Sequence, residues 1–458
     1  MKQTLIHPAR TEGKIRELDV FRMPTLGLQT VAALTPAHYD VQIIDENYQS
    51  IEAADSPDVV GVGCLTCTAP RAYALADRFR AQGVPVIMGG HHPSICPDEA
   101  ARHADAVVVG QAEGIWGQVL ADLEAGGLKQ RYESPLCGFP DKPVICRRDL
   151  TRYGAYLTPN SAETTRGCPL HCEFCSVRVF YGGKFHRRPI EHVLADIRSL
   201  PNHGFMWFVA DNFLIDRGYA RRLLKALAPL GRKWLCQASL GATADPEILP
   251  LLRRAGCEVV FIGFESISRE GLRELDKTVN ARYDYADAIR MIHDHGINIE
   301  GAFIFGMDSH DESIFDQTVE FGIRHKIDFA QFSILTPLPG TETYRRMHAA
   351  GRIFDFSWEH YDCAHAVFRP AKMSAEILQR GWHYAYHRFY SLPSMVRRLL
   401  GNPNGVRNYL LGNLAIHRAH CDRGDDGEIV RCLRPPHRRR AESRQMAAPT
   451  VFAAGGVA

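Results

Sequence analysis

Three cysteines close together in the chain are the first residues whose types and spacing could do chemistry. Cys168, Cys172 and Cys175 stand in the segment TRGCPLHCEFC, residues 165–175, with the spacing C-x3-C-x2-C. Three thiolates on one short loop can ligate three irons of a four-iron cluster. The fourth iron then keeps open positions for a substrate or a cofactor, as reductive chemistry on a bound sulfonium requires.

Two other interpretations of the three cysteines stay open at this point. A zinc site normally takes a fourth protein ligand at comparable spacing. His171 lies inside the loop, but its neighbours leave it little freedom to complete a tetrahedron. The other interpretation is a surface loop whose cysteines only pack.

The cysteines follow the first strand of a predicted series of strands and helices in residues 161–345. Strands are predicted at 162–166, 205–210, 234–239, 259–263, 297–305 and 329–335, with helical patterns between them. Six βα units in succession favour a parallel barrel or partial (β/α)6 barrel over an open sheet. Active sites of such barrels lie at the carboxyl ends of the strands, and the cysteine loop falls at one of these ends.

The cysteine spacing, with Phe174 before the last cysteine and a six-fold βα series after the first strand, resembles the radical S-adenosylmethionine superfamily. The resemblance implies a [4Fe–4S] cluster on Cys168, Cys172 and Cys175. Its fourth iron would chelate the methionine amino and carboxylate groups of S-adenosylmethionine. One-electron reduction would then cleave this molecule to a 5′-deoxyadenosyl radical that abstracts hydrogen from the substrate.

The same resemblance implies a set of S-adenosylmethionine contacts. Phe174 occupies the position that packs on adenine. Asp211 and Asn212 end the second strand, where many relatives carry a Gly-Gly-Glu that binds the methionine amine, so this chain departs from the pattern there. The other candidates end later strands: Gln237 and Ser239 for the ribose, Glu265 for the methionine or ribose end, and Gly301 beside adenine.

Residues 1–125 predict a second α/β domain ahead of the barrel. Strands are predicted at 4–6, 41–44, 59–62, 84–88 and 106–109, and helices at 26–34, 69–81 and 113–125. This alternation indicates a doubly wound, Rossmann-like parallel sheet. Such sheets bind ligands outside the carboxyl ends of their strands, and the small residues in these loops would let the backbone approach a large flat ligand.

These loops look like those of the cobalamin-binding members of the superfamily, a resemblance that runs from about residue 20 to residue 390. The D-x-H-x-x-G motif that supplies a histidine to the lower cobalt face elsewhere is absent. The resemblance therefore implies cobalamin whose dimethylbenzimidazole is displaced without a histidine replacing it; a scaffold that has lost cobalamin is the alternative. The candidate cobalamin contacts are Asp45, Gly63, Thr66, Gly89, Gly90, His91, Gly110 and Glu113.

A zinc site at His91 and His92 is not expected, because no cysteine or carboxylate has suitable spacing to join them.

Beyond the two domains, residues 126–160 are expected to be a linker and 346–432 a helical carboxy-terminal region. Residues 433–458 lack a core-forming pattern and are expected to be disordered. Aromatic residues of the helical region, such as Trp382, Tyr386 and Tyr390, would either wall an apolar pocket or pack in the core. The stretches 396–400 and 409–414 leave peripheral membrane contact open.

Composition limits the partners and the location. The 458 residues carry Lys+Arg 54 against Asp+Glu 52, a formal charge of +2, so no cationic excess drives nucleic-acid binding. No apolar run of about 18 residues and no signal-peptide core appear, which predicts a cytoplasmic protein without a transmembrane segment. The 13 cysteines are then expected to bind metal, catalyse or pack rather than form disulfides.

The sequence thus predicts a radical enzyme that methylates an unactivated carbon of a small-molecule substrate, lipid-like or tetrapyrrole-like. Its electrons would come from a donor such as flavodoxin or ferredoxin. One alternative keeps both cofactors but catalyses oxidative cyclisation or rearrangement without methyl transfer. Another is a non-catalytic iron–sulfur or cobalamin sensor.

Overall fold

The computed structural model describes residues 1–10, 23–54, 56–135, 137–156, 158–241, 245, 247–400 and 406–421. The expected tail at 433–458 lies outside these residues, as does the end of the predicted helical region.

The amino-terminal part of the chain forms a six-stranded parallel sheet. Its strands are β1 (Lys2–His7), β2 (Asp40–Asp45), β3 (Val59–Gly63), β4 (Val86–Gly89), β5 (Ala106–Val109) and β6 (Arg131–Glu133). The strand order is β2-β1-β3-β4-β5-β6. Successive residues such as Val59 and Val60 point to opposite faces and enter two different apolar clusters. The sheet is therefore covered on both faces, as the doubly wound prediction requires.

In the described part of this domain, five helices accompany the sheet. They are α1 (Leu26–Leu34), α2 (Ala69–Ala81), α3 (His91–Ile95), α4 (Pro97–Ala100) and α5 (Trp116–Glu124). The first two begin and end at the predicted residues. The first turn of α5 was expected at 113 and lies three residues later, after a 3₁₀ turn at Ala112–Gly114.

The range expected to be a linker, 126–160, contributes a strand to this sheet. Val108 pairs with Tyr132 and Val109 with Glu133 in the parallel β5–β6 ladder. The linker prediction is wrong over these residues, because three residues are too short for a periodic pattern to mark them as a strand.

The second domain is also built on a parallel sheet of six strands. They are β7 (Asn160–Glu163), β10 (Met206–Val209), β11 (Trp234–Ala238), β12 (Cys257–Glu265), β13 (Asn298–Phe305) and β14 (Phe329–Ile334). They follow one another in the order β14-β13-β12-β11-β10-β7, and a short antiparallel pair, β8 (Thr165–Arg166) with β9 (His186–Arg187), flanks them. The first and last strands form two edges, so the sheet is a partial barrel, as predicted.

Eight helices of the described chain follow the strands of this domain. They are α6 (Ser176–Tyr181), α7 (Ile190–Arg198), α8 (Arg217–Leu227), α9 (Ile248–Arg254), α10 (Arg269–Glu274), α11 (Tyr285–Asp294), α12 (Ser313–Arg324) and α13 (Glu342–Ala349). Asp216 shows why α8 begins where it does, since its side chain accepts the Tyr219 N–H at 2.8 Å. Such a cap satisfies one of the amide groups left free at a helix start.

Three helices, α14 (Ala375–Phe389), α15 (Leu392–Leu399) and α16 (Val406–Cys421), close the described chain. The buried aromatic residues of α14, together with Tyr390 directly after it, pack against the barrel edge. Tyr390 accepts the Ala330 N–H and donates to its carbonyl, each at 2.9 Å, and Tyr386 contacts Phe332 in the same way. These side chains satisfy the backbone groups that an edge strand leaves unpaired.

Within the described residues, we find no helix that combines the length and apolar character needed to cross a membrane.

Candidate cluster and cofactor site

The cysteine loop begins at a glycine that no other residue could replace without strain. Gly167 has φ +75°, and a Cβ added there would collide with the backbone carbonyl of Lys184. The chain therefore turns sharply between β8 and Cys168. At the other end of the loop, Cys175 stands immediately before α6.

The burial and spacing of the three thiols favour a cluster over a single metal ion. Burial raises the pKa of the Cys172 thiol to about 12, a shift that the cationic Lys277 opposes. Burial also raises the pKa of the Cys175 thiol, and hydrogen bonds from N–H groups of α6 oppose part of this rise. Among the described residues, these three sulfur atoms are not all within 4.8 Å of one another. A tetrahedral zinc ion with bonds of about 2.3 Å to sulfur would need them closer.

His171 does not complete a metal site in this loop, because its side chain is exposed. Three cysteines on one loop, too far apart for one ion, fit a [4Fe–4S] cluster with an open iron. The zinc interpretation of the loop is therefore not supported.

Asp211 and Asn212, which follow β10, form hydrogen bonds with the cysteine loop. The Asp211 carboxylate accepts the Gly167 N–H at 2.7 Å. The Asn212 amide donates toward Cys168 Sγ at 3.9 Å, and its oxygen accepts the Ser239 N–H at 3.2 Å. Burial raises the pKa of Asp211 to about 6. Their predicted contact with the methionine end of S-adenosylmethionine stays a prediction.

Glu265 forms a buried ion pair that sequence reasoning missed. Lys277 Nζ lies 2.9 Å from Glu265 Oε1, and the two side chains are 12% and 9% exposed. Glu265 has φ +64°, and a Cβ on Gly263 would collide with its carboxylate. Asn280 holds the same turn by donating to the Gly263 carbonyl at 2.7 Å. No motif marks Lys277, since it reaches the site from a loop 12 residues beyond its partner.

The barrel strands enclose an open lumen beside the cysteine loop. Side chains alternate between the two faces of a strand, and Cys236, Val260 and Phe303 pack outward under the helices. Gln237 points the other way and is exposed although β11 is a central strand. Its register partner Phe261 is half-buried on the same face. This face therefore borders free volume, and the predicted contact of Gln237 with the ribose stays a prediction.

Ser239, Phe174 and Gly301, the other predicted contacts, occupy different positions in the barrel. Ser239 is half-buried just past β11, and Phe174 is half-buried against the barrel core. A Cβ on Gly301 would lie 3.2 Å from the rings of Phe264 and Phe303. Glycine is thus explained at 301 by ring packing on the outer face, and its predicted backbone contact with adenine stays a prediction.

At the carboxyl edge of the first sheet, two loops approach each other through their backbones. Gly90 has φ +99°, and a Cβ there would lie 3.0 Å from the Cys64 carbonyl oxygen. Gly63 and Gly89, which end β3 and β4, are register partners and bring these loops side by side. Leu65 projects from the same edge and is 52% exposed.

Two further candidates, Gly110 and Thr66, lie at this edge. Gly110 has φ +87°, and its N–H donates to Ser94 Oγ at 2.9 Å. Thr66 is buried, and its hydroxyl lies 3.3 Å from His92 Nδ1. Both residues take part in hydrogen bonds that connect neighbouring loops.

At this edge, His91 faces the second domain, which contains the cysteine loop. Its ring stacks on Phe180 of α6, with centroids 5.1 Å apart. Burial lowers the pKa of His91 to about 4, so the ring is neutral. Its Nε2 is buried and has no hydrogen-bond partner among the described residues. A buried polar atom without a partner fits a corrin ring, whose apolar faces are surrounded by amide side chains.

Asp45 and Glu113, also candidate cobalamin contacts, are both held in internal contacts. Asp45 accepts hydrogen bonds from Asn47 and, at 2.8 Å, from the Tyr156 hydroxyl. Glu113 pairs with Arg166 at 2.6 Å. Both carboxylates therefore tie the first domain to the segments that follow it, and their contact with cobalamin stays a prediction.

Arg166 joins the two domains directly before the cysteine loop. Its guanidinium contacts Glu113 at 2.6 Å and Glu163 at 2.7 Å, and it donates to the Gly138 carbonyl at 2.8 Å. It also lies over the Phe139 ring, 4.4 Å from the centroid. The buried Arg166 side chain thus connects the loops at the carboxyl edge of the first sheet, the segment between the two domains and the first barrel strand.

His92 lies beside a cysteine and a carboxylate, contrary to the expectation from spacing. His92, Cys96 and Glu99 offer ligand atoms within 4.8 Å of one another. Both ring nitrogens of His92 already have partners, Thr66 at 3.3 Å and Tyr73 at 3.1 Å. The group therefore serves as a hydrogen-bonded support behind the cobalamin-type loops.

Two family models match this chain. One describes the radical SAM superfamily and matches residues 162–322; the other describes a B12 binding domain and matches residues 19–120. These ranges contain the cysteine loop and the glycine-rich edge, respectively.

Characterised relatives match over most of the chain. A bacteriochlorophyllide d C-12(1)-methyltransferase of Chlorobaculum tepidum is 32% identical over 415 residues, which is 88% of this chain and 90% of the relative. A hopanoid C-2 methylase of Rhodopseudomonas palustris is 26% identical over 350 residues, which is 72% of this chain and 65% of the relative.

A solved structure has the same fold. The radical S-adenosylmethionine methyltransferase TsrM from Kitasatospora setae, with cobalamin and a [4Fe–4S] cluster bound, superposes with a TM-score of 0.65 at 16% identity. The match covers 96% of this chain and 99% of TsrM.

Proposed function

Because this chain belongs to the radical S-adenosylmethionine superfamily and to its members with a B12-binding domain, we propose that it methylates an unactivated carbon of a tetrapyrrole-like or lipid-like molecule. The observation that carries the proposal is the meeting of two sites. His91, on the cobalamin-type edge, stacks on Phe180 of the helix that begins at the cysteine loop. A methyl carrier and a radical source held there would face the same substrate carbon.

Cys168, Cys172 and Cys175 would hold the [4Fe–4S] cluster, and the edge around Gly63, Gly90 and His91 would hold cobalamin. When bound, the cluster supplies the electron that cleaves S-adenosylmethionine, and cobalamin supplies the carrier for the methyl group.

The chain's own residues would position these groups and limit the net charge of the site. Asn212 donates toward Cys168 Sγ and ties it to the end of β11 through Ser239. Hydrogen bonds to a cluster sulfur raise the reduction potential. Lys277 brings a buried positive charge whose partner, Glu265, keeps the pair neutral overall.

No general base is required, since a hydrogen atom and not a proton leaves the substrate. The protein instead must orient the target carbon and exclude water. The half-buried Trp207 and Phe261 on the lumen face suit a flat apolar ring system, and Gln237 and Gln331 add polar contacts. These side chains support a tetrapyrrole-like substrate bound in the lumen, next to S-adenosylmethionine.

The reaction also needs an electron donor. A one-electron protein of low potential, such as flavodoxin or ferredoxin, is the proposed partner.

The experiment uses the anaerobically reconstituted protein with cobalamin, a strong one-electron reductant, methyl-deuterated S-adenosylmethionine, and bacteriochlorophyllide d as the test substrate. We expect 5′-deoxyadenosine and a product carrying one CD3 group in place of hydrogen. Cys172→Ala should abolish both products.

Two other outcomes would overturn the proposal. If 5′-deoxyadenosine accumulates while the substrate is altered without label, the chain is a cyclase or rearrangement enzyme. If the loaded protein never cleaves S-adenosylmethionine, it acts as a sensor.

A further inference from the structure

Two helices at the end of the described chain present apolar side chains to solvent. Leu392 and Val396 of α15, and Leu400 directly after it, are 60%, 56% and 67% exposed and lie four residues apart. On α16, Leu410, Leu411 and Leu414 are 38%, 58% and 38% exposed. Residues at these spacings share one side of a helix. These six residues, here called the apolar face, are nearly half of the 13 exposed large apolar side chains in the described part of the chain.

The apolar face is held rigidly, because the opposite sides of both helices are locked to the barrel. Arg398 is fully buried and donates to Asn413 Oδ1 at 2.8 Å and to the Asp328 carbonyl at 2.7 Å. The Tyr409 hydroxyl donates to the Met395 carbonyl at 2.9 Å. The leucines therefore point outward from an ordered contact and are not the frayed end of a helix.

The charged side chains of the two helices all have one sign. Residues 377–421 contain no Asp or Glu, although they contain six arginines and four histidines. Arg397 on α15 and Arg418 on α16 are exposed. Apolar side chains on helices whose charged residues are all cationic are typical of helices that lie in the interface of an anionic membrane.

We infer that α15 and α16 dock on the surface of an anionic lipid bilayer, with the apolar face in the boundary between head groups and acyl chains. Exposed leucines contribute apolar burial, and Arg397 and Arg418 contribute attraction to lipid phosphates. The inference is independent of the proposed reaction, since docking requires no turnover.

A second copy of the chain is a less suitable partner for this face. A two-fold contact brings the same patch of both copies together. It would oppose arginine to arginine, and residues 377–421 offer no acidic side chain to pair with them. Such like-charge contacts weaken association.

The test measures co-flotation of the full reconstituted chain with vesicles. We expect vesicles that contain phosphatidylglycerol to bind at least about tenfold more protein than vesicles of phosphatidylcholine alone. Binding should fall when the ionic strength is raised from about 0.1 M to about 1 M.

A double variant and a matched control locate the contact. Val396→Gln with Leu411→Gln should lower the partition coefficient at least about tenfold, since two apolar anchors are lost. Both positions are more than half exposed, so the unfolding midpoint should not change. Phe356→Gln alters a side chain that is 54% exposed outside the apolar face and should bind as the native chain does.

The inference is overturned if the native chain does not float with phosphatidylglycerol vesicles, or if the double variant floats equally well. It is also overturned if the native chain is a dimer that the double variant converts to a monomer while neither binds vesicles. That result would assign the apolar face to a contact between copies.

Discussion

Replacing Lys277 by methionine is predicted to destabilise the barrel strongly, because it leaves the Glu265 carboxylate buried without its partner. The two side chains are about nine-tenths buried, and their charged atoms lie 2.9 Å apart. Removing one member of a buried ion pair costs about 3–5 kcal/mol. At roughly 2–4 °C per kcal/mol, the unfolding midpoint should fall by roughly 6–20 °C.

A second substitution, at Glu265, shows whether the lost stability comes from the unpaired buried charge or from lost packing. Glu265→Gln combined with Lys277→Met removes both charges, and pairs replaced by neutral groups are often tolerated. We therefore expect the double variant to regain most of the lost stability, with a coupling free energy of roughly 2–3 kcal/mol. Lys233→Met is the matched control. Lys233 is 66% exposed and pairs with Glu258 at 3.3 Å, so its loss should cost less than about 1 kcal/mol.

The assay is anaerobic thermal unfolding of the cluster-free chain under reducing conditions, so that iron content does not affect the midpoint. Iron incorporation is measured afterwards, because Lys277 also lowers the pKa of the Cys172 thiol and should aid metal binding. A Lys277→Met midpoint within about 1 °C of the native value would refute the reasoning. So would a double variant whose loss equals the sum of the two single losses.

Three further predictions concern the turn, the domain contact and the barrel interior. Gly167→Ala should reduce the iron content from about four atoms per reconstituted chain to less than about one. Gly182→Ala is the control and should retain its iron. Gly182 has φ +61°, but no atom lies within 4 Å of the added Cβ. Arg166→Met should speed proteolytic cleavage within residues 126–160 several-fold, because the contact between the domains is lost; an unchanged rate would contradict this role. Burial raises the pKa of Glu300 from 4.5 to about 7, so the native state binds more protons than the unfolded state and stability falls as pH rises through this range. Glu300→Gln should therefore be more stable than the native chain by roughly 3 kcal/mol at pH 8 and equal to it near pH 4, as pH-dependent unfolding would measure.

The elements with strong periodic patterns could be predicted from the sequence, often to the residue. Leu26–Leu34 and Ala69–Ala81 begin and end where expected. The cysteine spacing also marked the loop that we propose as the holder of the cluster. These features are local, so a short stretch of sequence contains the information that defines them.

The contacts that support the site could not be predicted, because they join distant segments. Arg166 reaches Glu113 across 53 residues, and Asp211 reaches Gly167 across 44. Lys277 belongs to a loop without a distinctive motif. The position of Glu113 in a loop does not by itself show that its carboxylate is paired with Arg166.

The most direct test of the proposed chemistry follows hydrogen and methyl in one reaction. A substrate deuterated at the carbon to be methylated is incubated with methyl-labelled S-adenosylmethionine and the reconstituted, reduced protein. We predict that the carbon that gains the labelled methyl group loses its deuterium to 5′-deoxyadenosine. Methyl transfer without deuterium in 5′-deoxyadenosine would contradict the radical mechanism.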